Sequence, residues 1–123
     1  MSSGDAAYNP LEYHNGTVRP HDTAICAEGM RRYGFRDEAG RVCTALLDAA
    51  EAFSNQLPEV FAGFARDEAG MPIEYPEELK PQSWAAAAPL LMIRTLLGLE
   101  PDRRPDPHVP EWIGKLRLRP IRP

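Results

Sequence analysis

The sequence has little of what several large classes of protein require. Its 123 residues carry 14 lysines and arginines against 18 aspartates and glutamates, so it lacks the basic excess of nucleic-acid-binding surfaces. No apolar run is long enough to span a bilayer, and the first residues lack the basic and apolar regions of a secretion signal. We therefore expect one folded cytoplasmic domain that binds neither nucleic acid nor membrane.

Cysteine and histidine are also scarce. Cys26 and Cys43 fall within predicted helices without disulfide or metal spacing, and we predict that both are reduced core residues. The three histidines are too far apart in sequence for a ligand pattern. The sequence contains neither a glycine-rich phosphate loop nor a nucleophile elbow. It therefore predicts no metal and no cofactor.

Three segments have the apolar periodicity of helices. Residues 22–33 form the first predicted helix, which Gly34 ends, and residues 37–53 form a second with a clear apolar stripe. The third, residues 81–97, is apolar on nearly every side and opens at a proline suited to the first turn. Because two other helices cannot cover such a helix, we expect exposed apolar surface that a partner would bury.

The remaining segments lack helical periodicity. Residues 54–80 are interrupted by prolines and glycines, and we predict a long ordered loop, which is usually functional in compact domains. Near the C-terminus, apolar and basic residues alternate from Lys115 to Arg119, which predicts a short strand with a solvated basic face.

Four short motifs occur in a fixed order. They are Tyr13-His14-Asn15-Gly16-Thr17-Val18, Pro20-His21-Asp22, Leu57-Pro58-Glu59-Val60-Phe61 and Pro81-Gln82-Ser83-Trp84. Together they resemble the C-terminal part of the bacterial amylo-alpha-1,6-glucosidases, glycogen-debranching glycoside hydrolases whose catalytic domain is an (alpha/alpha)6 toroid like that of mannosylglycerate hydrolase.

The resemblance covers residues 13–118, which would be a partial glycoside hydrolase domain, and leaves residues 1–12 as an irregular lead-in and 119–123 as a tail. It implies an all-α fold. We expect a fragment of the toroid with about three main helices, one long functional loop and a short tail in which a strand can form.

The resemblance also implies roles for particular residues. Glu59 corresponds to the general base that activates water, with inversion at the anomeric carbon. The general acid lies in the family on an earlier loop, which we expect this chain to lack. Arg19 stands where the family usually has tryptophan, so a cation replaces an aromatic wall. The residues implied to contact the sugar are His14, Asn15, His21, Asp22, Gln82 and Trp84.

The residues alone leave alternatives open. Asp22 is equally suited to cap the first helix, Trp84 to fill the core, and His14 and His21 to serve structural roles. Glu59, taken without its motif, would be an ordinary solvated loop residue.

The predicted function is that of a C-terminal hydrolase fragment that cleaves alpha-glucosidic bonds of glycogen-like glucans. A second polypeptide or self-association would supply the missing half. The alternative is a remnant that binds an oligosaccharide or a protein partner without catalysis.

Overall fold

The computed structural model describes residues 1–76, 81–115, 117 and 119. In this part of the chain the α-helices are α1 (Pro20–Arg32), α2 (Arg36–Ala52), α3 (Arg66–Ala69) and α4 (Ser83–Leu97), and Glu111–Ile113 form a 3-10 turn. The described residues pair as β structure only in two isolated antiparallel bridges, which both include Phe61. The predicted all-α fold is confirmed, and α1, α2 and α4 are its three main helices.

The start of α1 differs from the prediction. The helix begins at Pro20, two residues before Asp22, because proline is pre-organised for the first helical turn. Asp22 lies inside that turn and does not cap it, so its predicted N-cap role is wrong. Its carboxylate still stabilises the helix through the dipole, which favours negative charge at this end.

The start of α4 is also shifted. The helix begins at Ser83 and not at Pro81. Gln82 is the N-cap residue, and its side-chain oxygen accepts a hydrogen bond from the backbone N–H of Ala85 at 3.1 Å. Gly98 ends the helix in the left-handed region, with φ 58°.

The core lies where α1 packs against both α2 and α4. Ala24 and Ala27 of α1 are completely buried, and their small side chains allow both neighbouring helices to approach closely. Cys43 and Leu46 of α2 and Met92 of α4 fill the space around them. A single hydrophobic core therefore connects the three main helices.

The long loop between α2 and α4 enters this core. Ser54 and Asn55 turn the chain away from α2 with positive φ angles of 56° and 62°. Leu57 and Phe61 then return to the interior, and the Phe61 ring lies 5.6 Å from that of Phe53. Over residues 54–76 the predicted loop is therefore an ordered segment, interrupted by the single turn of α3, and its last residues, 77–80, lie outside the described part of the chain.

One side of α4 is not covered. Ala85 and Met92 are completely buried, whereas Trp84, Leu90 and Ile93 are 63%, 70% and 49% exposed. The expectation of uncovered apolar surface is confirmed for the described residues. The alternative that Trp84 fills the core is wrong, because its side chain lies on the uncovered side of α4 and is largely exposed.

The C-terminal segment differs from its prediction. Glu111–Ile113 form a 3-10 turn, and the described residues Lys115, Arg117 and Arg119 belong to no strand. The intervening Leu116 and Leu118 lie outside the described residues, as do residues 120–123. Across the described helices, none has the length and apolar character needed to cross a bilayer.

The two cysteines occupy opposite environments. Cys43 is completely buried, as predicted, but Cys26 is exposed. The buried stripe of α1 runs through Ala24 and Ala27, and Cys26 lies off that stripe, so its assignment to the core is wrong. Burial, with a smaller contribution from the Glu28 charge, raises the pKa of the Cys43 thiol to about 11.

We predict that Cys26 reacts with a disulfide reagent such as dithionitrobenzoate at pH 8, whereas Cys43 reacts only after unfolding, because the thiolate is the nucleophile. Absorbance should report one thiol in the native protein and two in guanidinium. In Cys26→Ser the native signal should vanish. Rapid reaction of two thiols in the native wild type would contradict the assignment.

A polar network joins α1 to α4 beside the core. The Glu28 carboxylate accepts hydrogen bonds from Arg31 at 2.9 and 3.0 Å and from Arg32 at 2.8 Å. It also accepts one at 3.1 Å from the hydroxyl of Thr95, a buried residue of α4. Arg31 extends the network to Glu100 at 2.8 Å. The hydrogen bonds from Arg31 contribute most to lowering the pKa of Glu28, to about 2.

We predict that Glu28→Gln lowers the free energy of unfolding at pH 7 by about 3 kcal/mol. The pKa of Glu28 is depressed from its usual 4.5, so its stabilising contribution is complete above pH 4.5 and is lost as the pH falls toward 2. Urea denaturation of wild type and variant should therefore converge over that interval. Glu38→Gln, which removes an exposed pair with Arg41, is the control and should change stability by less than about 1 kcal/mol. An equal effect of Glu28→Gln at pH 7 and pH 2 would contradict the assignment.

Candidate functional site

A backbone pairing brings the first and third motifs together. Val18 and Phe61 exchange hydrogen bonds, from Val18 N–H to Phe61 O at 2.8 Å and from Phe61 N–H to Val18 O at 3.0 Å. Ala62 N–H donates to Ile73 O at 2.9 Å on the other side of the same segment. The segment that carries Glu59 is thus fixed beside the segment that precedes α1.

Tyr13 and Glu59 meet as a result. The Tyr13 hydroxyl donates a hydrogen bond of 2.5 Å to Oε1 of Glu59. Glu59 is half-buried and lies between the fully buried residues Pro58 and Val60. The hydrogen bond to the Glu59 carboxylate is the main reason that the pKa of Tyr13 is raised. The phenol therefore stays protonated and holds the carboxylate in one orientation.

Arg19 covers the other side of this pair. The centre of its guanidinium lies 4.2 Å from the centroid of the Tyr13 ring, within cation–π range. Its Nη2 atom is buried, and no hydrogen-bond partner for it lies within the described chain. A guanidinium is planar and can stack on an aromatic ring, so Arg19 and Tyr13 together form a surface that is both aromatic and charged.

The other residues of the first motif surround Tyr13. The His14 ring packs edge-on against Tyr13 at 5.0 Å and is exposed. Asn15 is half-buried, and its backbone N–H donates to Glu12 O at 3.1 Å. Tyr75 from the long loop lies 6.0 Å from the Tyr13 ring. Tyr13 is thus the centre of the first cluster of candidate residues.

A second cluster forms where the start of α1 meets the start of α4. The His21 and Trp84 rings lie 5.4 Å apart in an edge-to-face arrangement. The His21 side chain is only 12% exposed; its Nε2 lies 3.5 Å from Oδ1 of Asp22, and its buried Nδ1 has no partner in the described residues. Ile25 and Leu91 complete an apolar depression of about 300 Å³ beside these rings.

Gln82 lies at the edge of this second cluster. Its side-chain oxygen accepts one hydrogen bond at the α4 N-cap, which fixes the amide so that its two N–H groups can donate to a ligand. The residues predicted to contact a sugar therefore divide into two groups: His14 and Asn15 near Glu59, and His21, Asp22, Gln82 and Trp84 at the helix ends. The segment from Arg19 to His21 connects them.

Tyr13 and Arg19 are the functional candidates that reasoning from the sequence missed. Tyr13 lies in the first motif without an implied role, and Arg19 stands out in the sequence only as a departure from the pattern of the resembled family. The signal available in the sequence was the tyrosine next to a histidine in the first motif, an aromatic ring beside a polar group of the kind that lines binding sites. The contact with Glu59 joins residues 46 positions apart, and periodicity carries no information about such a pairing.

Residues 8–17 and the long loop approach each other so closely that position 63 requires glycine. A Cβ on Gly63 would lie 1.9 Å from the carbonyl oxygen of Gly16. The Tyr8 hydroxyl donates to the carbonyl of Gly63, and the Gly63 N–H donates to Pro10 O at 3.0 Å. These contacts hold residues 8–17 against the loop and so hold Tyr13 near Glu59.

No protein-family model matches the sequence, and no curated protein matches it either. Within the described residues, no group of three or more histidine, cysteine and acidic side chains is arranged to hold a metal ion. The chemistry of the site must therefore be inferred from the arrangement of its side chains. It combines one oriented carboxylate, a stacked cation and exposed aromatic rings, which together can orient a water molecule and bind a polyhydroxylated ligand.

We predict that Gly63→Ala lowers the free energy of unfolding by about 1–3 kcal/mol, because the new methyl group overlaps backbone atoms of Gly16. Hydrogen exchange should accelerate at the amides of Val18 and Phe61, which pair beside this contact. The control is Gly29→Ala in α1, where a Cβ meets nothing within 4 Å. That change should raise stability by about 0.5–1 kcal/mol. Unchanged exchange in Gly63→Ala would contradict the role of this contact.

Proposed function

We propose that the two clusters are part of the saccharide site of an inverting glycoside hydrolase that cleaves alpha-glucosidic bonds, with Glu59 as the general base. The observation that carries this proposal is the 2.5 Å hydrogen bond from Tyr13 to Glu59, which the Val18–Phe61 pairing makes possible. It joins two motifs that resemble those of amylo-alpha-1,6-glucosidases around one oriented carboxylate.

In this mechanism, Tyr13 occupies one oxygen of the Glu59 carboxylate and leaves the other to accept a proton from water. The water oxygen attacks the anomeric carbon from the face opposite the leaving group. As the new C–O bond forms, the glycosidic C–O bond breaks and the water proton passes to Glu59. The product is the β-anomer, because a single displacement inverts the configuration.

The leaving oxygen must receive a proton from a second carboxyl group, which inverting enzymes place about 6.5–9.5 Å from the base. We propose that this acid comes from a segment outside these 123 residues, on a second polypeptide or in a self-associated assembly. The exposed apolar side of α4 supports such an assembly, because Leu90 and Ile93 would become buried in it.

A second candidate function is saccharide binding without catalysis. Trp84 favours it, because its ring is 63% exposed and His21 fixes its orientation from the edge. An exposed aromatic ring beside polar groups can stack on the apolar face of a sugar without any contribution from Glu59.

We also propose a cytoplasmic location. The two cysteines are free thiols, which are typical of proteins from a reducing compartment.

Alpha-D-glucosyl fluoride tests the proposed function, because fluoride leaves without protonation and the reaction does not need the general acid. We predict that the purified chain releases fluoride faster than the spontaneous rate and forms β-glucose first. Glu59→Gln should reduce the catalysed rate by about 10²–10⁴-fold, the usual contribution of proton transfer. A fluoride electrode and proton NMR of the anomeric signals measure both quantities.

Glu51→Gln is the matched control, since Glu51 is an exposed glutamate near the end of α2. It should leave fluoride release unchanged. Fluoride release that is no faster than the spontaneous rate, or equal in Glu59→Gln and wild type, would overturn the catalytic proposal. Binding of maltotriose in calorimetry without fluoride release would favour the non-catalytic candidate, and Trp84→Ala should then weaken that binding.

A further inference from the structure

A second aromatic platform lies away from both clusters, on the outer side of α2. Trp112 is 59% exposed in the 3-10 turn. It lines a groove of about 450 Å³ between α2 and residues 108–112, which we call the Trp112 groove. Residues 13–22, 57–61 and 81–84, which form the proposed catalytic site, do not line it.

The Trp112 ring is held in place although it is exposed. Its indole N–H donates to the Thr44 hydroxyl at 3.1 Å, and that hydroxyl donates to the carbonyl of Gly40 at 2.9 Å. The adjacent Ile113 packs against the hydrophobic core, and the His108 N–H donates to Leu96 O at 2.8 Å. The turn is thus anchored at both ends, and the ring presents a fixed apolar surface to solvent.

Polar side chains flank this surface with charges of both signs. Asp37 Oδ1 lies 2.7 Å from Nε2 of His108, and Asp48 Oδ2 accepts from Arg66 at 3.0 Å. Arg41 also lines the groove. The Asp37 and Arg66 side chains are 85% and 76% exposed, so a ligand can reach their polar atoms without breaking into the core.

This combination selects a class of ligand. Two carboxylates and two guanidiniums give no field of one sign, so a polyanion such as nucleic acid gains little attraction. A saccharide ring has an apolar face for the indole and hydroxyl groups at its edge for the carboxylate and guanidinium groups. Trp112, Asp37 and Arg66, which would make these contacts, are each held in place by a hydrogen bond or ion pair within the chain.

We propose that the Trp112 groove is a separate saccharide-binding site that takes a neutral glucan. A surface site of this kind would hold a polymer near the proposed catalytic site and raise the local concentration of chain ends. The choice of an alpha-glucan as the ligand rests on the proposed function. The inference that the groove binds a saccharide rests only on the indole ring and the charged side chains around it.

The chain contains two tryptophans, so single-tryptophan variants can report on each site separately. In Trp84→Phe, the remaining emission comes from Trp112, and we predict a saturable change on titration with maltoheptaose. Adding Asp37→Asn should weaken the apparent affinity about tenfold, the usual effect of losing a charged hydrogen-bond partner. Adding Glu38→Gln, the next residue of α2 but outside the groove, should leave it unchanged.

Mannitol at the same hydroxyl concentration controls for general solvent effects, because it carries hydroxyl groups without a ring face. If maltoheptaose leaves Trp112 emission unchanged, or if mannitol changes it equally, the Trp112 groove is not a saccharide site. In Trp112→Phe, the remaining Trp84 reports on the proposed catalytic site. A response of Trp84 alone overturns this inference and leaves the proposed function standing, whereas a response of Trp112 alone supports this inference without the other.

Discussion

Phe61 is the residue on which the arrangement of the site depends. Its ring packs against Phe53 in the core, while its backbone pairs with Val18 on one side and Glu74 on the other. In an unsupported loop, the Glu59 side chain would sample many orientations, because holding it in one of them costs conformational entropy. Phe61, two residues after Glu59, restricts this motion because both its ring and its backbone are fixed. The carboxylate is thus positioned by burial of an aromatic ring and not by hydrogen bonds alone.

The helices beneath the site are connected by a different kind of contact. Ala24 and Ala27 let α1 approach α2 and α4 at once, but alanine buries little area, so each helix pair gains only modest hydrophobic stabilisation. The Glu28 carboxylate adds hydrogen bonds within α1 and one to Thr95 of α4. Since Glu28 is largely removed from water and has satisfied partners, these bonds contribute more than surface pairs do. Small side chains and one buried network together hold the core.

The helices could be predicted from the sequence because their apolar spacing reflects the same burial that forms the core. Their ends could not, since Asp22 and Gln82 both carry capping groups and only the surrounding chain decides which is used. The prediction of Cys26 as a core residue is wrong because residue type alone does not say which face of α1 a side chain occupies. The prolines and glycines after α2, together with the absence of helical periodicity, correctly predicted that Glu59 lies in an ordered loop. The Tyr13 contact depended on a pairing across 43 residues, from Val18 to Phe61, that no local pattern encodes.

Arg19 places a cation directly against the central ring of the first cluster. A guanidinium can stack on an aromatic ring, and that of Arg19 lies over the Tyr13 ring at 4.2 Å from its centroid. The guanidinium also places a positive charge on the Tyr13 side of the Glu59 carboxylate. That charge favours the ionised form of the phenol, whereas the hydrogen bond to Glu59 opposes ionisation and prevails. The Tyr13 proton therefore stays in the hydrogen bond, and Glu59 keeps its orientation beside a cation.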